Sequence, residues 1–213
     1  MATAAAASPI PVMLLIVQLN ILFHLSNPSI AHALVPPQES SSSNKERRQQ
    51  PPLVQSTCNS TSFYDICIAT LAADPSSSTA DVPGLCAIAV STAAASASST
   101  ASFLANASDG AAVPEAERAL LRTCAGKYAS ARDALMAARV SLAEQDYDYA
   151  FVHVSAAAEY PSVCRTLFRR RQQQQRPGSG KMMYPPELAK REEALKRLCS
   201  ITLDIISLLQ VQE

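Results

Sequence analysis

Several residue types that build enzyme sites are scarce in this chain of 213 residues. Tryptophan is absent, only five glycines occur, and aromatic residues make up 5% of the sequence. The glycines form neither a GxGxxG nor a GxxxxGK[ST] pattern, which argues against a phosphate-binding loop. The chain has only three histidines, which limits both metal binding and acid–base catalysis. The composition therefore favours a scaffold over a catalyst.

An excess of charge of either sign is also lacking. Eighteen lysines and arginines balance eighteen aspartates and glutamates, so the formal net charge is +0. A domain that binds nucleic acid is normally strongly basic, which argues against that class. Apolar residues make up 48% of the chain. Because aromatics are few, the core must be built from small aliphatic side chains.

The first 33 residues contain no Asp, Glu, Lys or Arg. An apolar run from Pro11 to Leu25 precedes the sequence Ala31-His32-Ala33, which is typical of a signal-peptide cleavage site. The run is short for a membrane span, which needs about 20 residues. We therefore expect a secretory signal peptide over 1–33, a signal anchor being the competing interpretation, and no membrane attachment after cleavage.

Two stretches of low complexity follow in the mature chain. Residues 34–55 are rich in Ser, Pro, Gln and charge, so they predict a flexible leader. Residues 169–181 are basic and contain Pro177-Gly178, so they predict a loop.

Four segments repeat apolar residues at the spacing of a helix, and no strand-like alternation competes with them. The predicted helices cover about 82–105, 114–143, 147–169 and 186–210. Their connections are mostly short, which makes neighbouring helices antiparallel. The sequence therefore predicts an all-α fold, an up-down four-helix bundle over about 82–211.

All six cysteines follow the signal peptide, and an even count in a small secreted chain suggests disulfides. Cys58 and Cys67 are close enough in sequence for a local bridge. Cys124 and Cys164 lie at similar heights on two neighbouring helices, so a bridge between them is sterically feasible.

The two remaining cysteines and two asparagines complete the candidates for modification. Cys86 and Cys199 could form a third bridge or stay buried as small apolar thiols. Asn59-Ser-Thr and Asn106-Ala-Ser are glycosylation sequons, which are used only in the secretory pathway.

The cysteine frame and the helices around it resemble one known family. The frame Cys58-x8-Cys67 is followed by Ala119-Leu-Leu-Arg-Thr-Cys-Ala-Gly-Lys-Tyr128 and by Ser155-Ala-Ala-Ala-Glu-Tyr-Pro-Ser-Val-Cys164. These sequences resemble the plant invertase and pectin methylesterase inhibitor family over about 56–211. Cys86, Cys199, Pro161 and the basic stretch depart from its pattern.

The resemblance implies a helical hairpin, over about 56–80, in front of the bundle. It also implies the disulfides Cys58–Cys67 and Cys124–Cys164. A member of this family is not an enzyme and needs no cofactor. It acts in the cell wall and apoplast by forming a non-covalent one-to-one complex that covers an enzyme's active-site cleft. We expect the free protein to be a monomer.

The turn between the second and third bundle helices bears on the choice of target enzyme. Family members that inhibit cell-wall invertase can carry Pro-Lys-Phe there, whereas this chain has Tyr147-Asp-Tyr149 in an acidic run. Like charges would cost affinity at an acidic glycosidase site. Pectin methylesterase is therefore the favoured target, and acid invertase is the alternative. The candidate partner-binding residues are Glu144, Asp146, Tyr147, Asp148 and Tyr149.

Other roles remain open for some of these charged residues. Asp146 and Asp148 could instead cap the following helix or interact with its dipole. Arg169–Arg171 could bind polyanionic pectin by charge, or be part of a solvated loop. His153 has no identifiable Ser or Cys nucleophile with an orienting acid, so we expect it on a helix surface or half-buried.

Overall fold

The computed structural model describes residues 51–174 and 183–211. The predicted signal peptide, leader residues 34–50 and residues 175–181 of the basic stretch lie outside this range. The described helices are α1 (Pro52–Asn59), α2 (Tyr64–Ala72), α3 (Val82–Ser108), α4 (Glu115–Ala143), α5 (Tyr147–Gln174) and α6 (Pro186–Gln210), with a 3-10 turn at Pro75–Ser78. The described ranges contain no strand, so the predicted all-α class is confirmed.

The four long helices pack side by side in a ring, each against two neighbours. The Nε2 of Gln210 donates to Oδ1 of Asp148 at 2.7 Å, and Nε of Arg165 donates to Oε1 of Glu192 at 3.1 Å. The first contact joins the start of α5 to the end of α6, and the second joins the later part of α5 to the start of α6, so the two helices are antiparallel. Ala131, Leu135 and the other residues on the predicted apolar stripe of α4 are buried.

Helix α3 illustrates how local sequence sets a helix boundary. Pro83 lies in its first turn, and Oδ1 of Asp81 accepts a hydrogen bond from the Gly84 N–H at 2.9 Å. A β-carbon on residue 84 would lie 3.0 Å from that oxygen, so glycine suits the cap. The helix is long and apolar enough to span a membrane by length and composition, but Leu85 and Leu104 are buried in the core.

The helical hairpin in front of the bundle is formed by α1 and α2. A disulfide joins Cys58 to Cys67, whose Cα atoms lie 5.5 Å apart, as expected. The N–H of Ser62 donates to Oδ2 of Asp204 at 2.7 Å and so attaches the tip of the hairpin to α6. The prediction of a flexible leader is wrong for residues 52–55, because α1 begins at Pro52 and buries Val54.

The junction between α5 and α6 differs from the loop that the sequence predicted. Helix α5 continues through the buried Pro161 to Gln174, so the predicted loop is wrong for residues 169–174. Arginine and glutamine are good helix formers, and the helix is held in place near its end. The rings of Phe168 and Tyr184 meet edge-on with centroids 5.2 Å apart.

A polar network also holds this junction. The hydroxyl of Tyr184 donates to Oε2 of Glu192 at 2.5 Å, and Arg165 donates to the same carboxylate. The Arg165 guanidinium also lies 5.3 Å from the centre of the Tyr184 ring. Burial and the hydrogen bond to Glu192 raise the pKa of Tyr184, so its hydroxyl stays protonated as a donor.

The sulfur atoms of Cys124 and Cys164 are neighbours in the core, as their heights on α4 and α5 predict. Both are free thiols in this structure, so the expected bridge is not formed here and stays a prediction. The contact with Cys124, together with burial, raises the pKa of the Cys164 thiol.

The structure does not support a bridge between Cys86 and Cys199, which are both buried free thiols. Nη1 of Arg191 lies 3.3 Å from Oγ of Ser99, which fixes the height of α6 against α3. Counted at about 1.5 Å per residue from this contact, Cys199 lies about 7–8 Å along the helix axis from Cys86. The two helix axes are also about 8–10 Å apart, so the Cα atoms lie beyond the roughly 7 Å that a disulfide allows. These cysteines therefore fit the alternative of buried thiols.

Candidate partner-binding surface

The turn between α4 and α5 is closed by backbone hydrogen bonds. The N–H of Asp146 donates to the Ser141 carbonyl at 2.8 Å, and the N–H of Gln145 donates to the Leu142 carbonyl at 3.2 Å. Gln145 has a φ of 60°, the left-handed conformation that usually ends a helix with glycine. The turn is therefore short and well defined.

The two candidate aspartates have structural contacts. Oδ1 of Asp146 accepts the Tyr149 N–H at 3.2 Å, which is a helix N-cap. Oδ1 of Asp148 accepts the Gln210 side chain at 2.7 Å and links α5 to the end of α6. The capping interpretation of Asp146 is thus confirmed, and the acidic run serves to hold the turn.

The other three candidate residues differ in exposure. Tyr147 is half-buried and packs against the core, so it supports the turn. Glu144 and Tyr149 are exposed, and Tyr149 keeps 63% of its surface open to solvent. Asp146 and Asp148 are exposed as well, so four of the five side chains are accessible to a partner, two of them through carboxylates that already accept a hydrogen bond.

Two exposed apolar side chains near the turn were missed by the sequence analysis. Val140 on α4, five residues before Gln145 of the turn, is 57% exposed, and Val152 on α5 is 60% exposed. Tyr149 and Val152 are three residues apart and so share one side of α5. Their position off the buried stripes is the signal that could have identified them.

Val140 and Tyr149 belong to one long surface of the neighbouring helices α4 and α5. We call it the hairpin face, after the α4–turn–α5 hairpin, which is distinct from the helical hairpin of α1 and α2. It is defined by exposed or half-exposed positions that recur every seven residues along α4 and α5, a spacing that returns to nearly the same side of a bundle helix. The positions are Ala119, Gly126, Asp133 and Val140 on α4, and Tyr149, Ala156, Val163 and Arg170 on α5.

The end of the hairpin face far from the turn is a groove of about 420 Å³ between α4 and α5. Ala116, Ala119, Leu120 and Thr123 line it from α4. From α5 it is lined by Leu167, Arg170, Arg171 and Gln174. The groove thus has a largely small and apolar floor with two arginines at its edge.

Residues 52–205 match the family described as plant invertase/pectin methylesterase inhibitor. The chain belongs to this family. The resemblance in the cysteine frame and the alanine-rich helices is therefore confirmed.

Relatives within the family carry two kinds of name. Pectinesterase inhibitor 28 of Oryza sativa subsp. japonica is 57% identical over 169 residues, covering 74% of this chain and 69% of the relative. Cell wall / vacuolar inhibitor of fructosidase 2 of Arabidopsis thaliana is 36% identical over 154 residues, covering 72% and 81%.

A solved structure supports the fold independently. The crystal structure of mutant form A of a pectin methylesterase inhibitor from Arabidopsis matches with a TM-score of 0.55 at 23% identity, covering 70% of this chain and 92% of that one. At this identity the match speaks for the fold alone.

This member of the inhibitor family is not an enzyme, as its relatives indicate, and its free thiols are poor nucleophiles. Burial raises the pKa of Cys86 to about 12 and that of Cys199 to about 12, so neither forms a thiolate readily. His153 is half-buried on α5, as expected. Among the described residues, no group of three His, Cys, Asp or Glu side chains could hold a metal ion.

Proposed function

We propose that this chain is a secreted inhibitor of pectin methylesterase that acts in the cell wall. It forms a non-covalent one-to-one complex and covers the active-site cleft, which limits the de-esterification of pectin. The observation that carries the proposal is the 57% identity to a rice pectinesterase inhibitor over 74% of this chain.

The end of the hairpin face at the turn is the part that contacts the enzyme. Tyrosine is enriched at the centres of protein interfaces, where a few buried side chains provide most of the binding energy. Tyr149 is exposed, as are Val140 on α4 and Val152 on α5. Because the Asp146 cap and the Asp148–Gln210 bond already order this end, little conformational entropy is lost on binding.

Acid invertase is the second candidate target. It is supported by the 36% identity to an Arabidopsis inhibitor of fructosidase. It is disfavoured by the absence of a cation at residue 148, where invertase inhibitors of the resembled type carry Lys. Residue 148 is an aspartate in this chain, so it offers no cation to an acidic glycosidase site. Its carboxylate accepts a hydrogen bond from Gln210.

Secretion is part of the proposal and has its own support. The chain carries the apolar segment and the Ala31-His32-Ala33 sequence of a signal peptide. Asn59 and Asn106 are both exposed, as glycosylation in the secretory pathway requires. Mass spectrometry of the protein secreted by plant cells, before and after glycosidase treatment, tests cleavage after residue 33 and both sugar sites.

A paired titration tests the target. The protein is purified from the medium of secreting cells and added in increasing amounts to a plant pectin methylesterase and, separately, to an acid cell-wall invertase. Saturable loss of esterase activity alone, at one inhibitor per enzyme, is the expected result. Loss of invertase activity alone would support the second candidate, and inhibition of neither would contradict both.

A further inference from the structure

The groove at the far end of the hairpin face is positively charged, and the proposed inhibition through the turn does not involve this charge. No Asp or Glu occurs between Glu159 and Glu187, whereas six arginines and lysines do. Arg165 is paired with Glu192, but the side chains of Arg170 and Arg171 have no ion pair or hydrogen bond among the described residues. Two free guanidinium groups therefore stand at the edge of a concave surface.

The two arginines lie on opposite sides of the line that joins Leu167 to Gln174, because consecutive helix residues are about 100° apart. Both line the groove, whereas the neighbouring Arg169 does not. Acidic residues on the facing helix are also absent from its lining. Glu115 lies 3.8 Å from Arg118, whose charge offsets it. The groove is thus cationic at its edge and uncharged along its floor.

We propose that this groove binds a polyuronate chain, the de-esterified form of pectin. Guanidinium groups form paired hydrogen bonds with carboxylates, and the apolar floor is suited to the faces of sugar rings. The choice of polyuronate among polyanions rests on the proposed function, because a polyuronate is the product of the enzyme to be inhibited. Fully methyl-esterified pectin carries no carboxylate, so we expect it not to bind.

The position of the groove allows the protein to bind the enzyme and a polyuronate chain at the same time. Arg170 lies three heptads from Tyr149, a distance of about 30 Å along α5. An inhibitor docked on the enzyme through the turn end keeps its groove accessible. Binding there concentrates the inhibitor in regions of the wall where de-esterification has already begun.

The test measures binding of the purified secreted protein to polygalacturonate, and to fully methyl-esterified pectin as the uncharged comparison, by affinity electrophoresis and calorimetry. The wild-type protein should bind only polygalacturonate, and added salt should weaken binding because exposed charges are screened. The double variant Arg170→Gln/Arg171→Gln should bind about tenfold more weakly, the size expected of two exposed ion pairs. Ala119→Glu, which places a carboxylate in the groove, should weaken binding without removing any arginine.

The double variant Arg139→Gln/Arg169→Gln is the matched control, since it removes the same charge from exposed helix positions outside the groove. It should bind polygalacturonate within about threefold of wild type. Equal losses in both double variants, or no binding by the wild-type protein, would overturn the proposal. Esterase titrations of the same samples separate the two proposals: inhibition without polyuronate binding contradicts only the groove, and binding without inhibition contradicts only the proposed function.

Discussion

The two ends of the hairpin face use charge in opposite ways. At the turn, the carboxylates of Asp146 and Asp148 each accept a hydrogen bond, from a backbone N–H and from Gln210. At the far end, the guanidinium groups of Arg170 and Arg171 have no hydrogen-bond or ion-pair partner among the described residues. A net charge of +0 therefore conceals a basic groove at one end of the surface and an acidic turn at the other.

The two ends are also held by different interactions. The turn depends on local hydrogen bonds within a few residues, whereas the junction of α5 with α6 depends on the longer-range network of Arg165, Tyr184 and Glu192. Local caps contribute about 1 kcal/mol each. A partly buried charged network can cost more when one member is removed.

The largest expected effect is on binding at the turn. The double variant Tyr149→Ala/Val152→Ala should weaken inhibition of pectin methylesterase by at least about 30-fold, because a buried aromatic anchor can contribute about 2 kcal/mol or more. Its free energy of unfolding should stay within about 0.5 kcal/mol of wild type, since both side chains are exposed. Inhibition constants and urea unfolding curves measure the two quantities.

The groove variant Arg170→Gln/Arg171→Gln is the control for this prediction, because it alters the other end of the same surface. Its inhibition constant should stay within about threefold of wild type. If the groove variant lost inhibition and the turn variant kept it, the assignment of the two ends would be reversed.

The next effect is on stability at the far end. Glu192→Ala should lower the free energy of unfolding by about 2 kcal/mol, because it leaves the partly buried Tyr184 hydroxyl and Arg165 without their acceptor. The Glu192 side chain is only 13% exposed. Glu193→Ala is the matched control: its carboxylate is 53% exposed and pairs with Arg197, so the change should cost about 0.5 kcal/mol. Equal losses in the free energy of unfolding of the two variants, measured with urea, would show that the network adds no stability.

The sequence predicted the long helices better than the segments between them. The repeat of apolar residues from Leu121 to Leu142 predicts a helix over 114–143, and α4 covers 115–143. The start of α1 at Pro52 and the extension of α5 to Gln174 were missed, because both segments are polar in composition. Their order comes from a few tertiary contacts, such as burial of Val54 and the packing of Phe168 on Tyr184.

The sequence predicted where the turn lies but not the contacts that its side chains make. The turn was identified from its position in the resembled family, and its acidic residues were the visible feature. Whether a carboxylate is free depends on partners such as Gln210, 62 residues away along the chain, and local sequence does not reveal such a partner. The exposure of Val140 and Val152 could have been predicted only from their position off the apolar stripes, because valine itself occurs both in cores and on surfaces.

A smaller effect tests the cap at the turn. Asp146→Ala should lower the free energy of unfolding by about 1 kcal/mol, the usual cost of losing an N-cap. Asp146→Asn should retain most of the stability, because an amide oxygen can accept the same Tyr149 N–H. Thermal unfolding of the three proteins measures the difference. A large loss in the Asn variant would mean that the charge of Asp146, rather than its hydrogen bond, holds the turn.

The smallest effect has the opposite sign. Gln145 adopts a φ of 60°, which costs a residue with a β-carbon about 1–2 kcal/mol. Glycine avoids this strain but loses more entropy on folding, about 0.5–1 kcal/mol. Gln145→Gly should therefore raise the free energy of unfolding by about 0.5 kcal/mol, while Gln145→Ala, which keeps the β-carbon, should not. Among the described residues, Gln145 contributes only backbone hydrogen bonds to the turn, so the Gly variant should inhibit as wild type does. A more stable protein that inhibited less well would show that the Gln145 side chain contacts the enzyme.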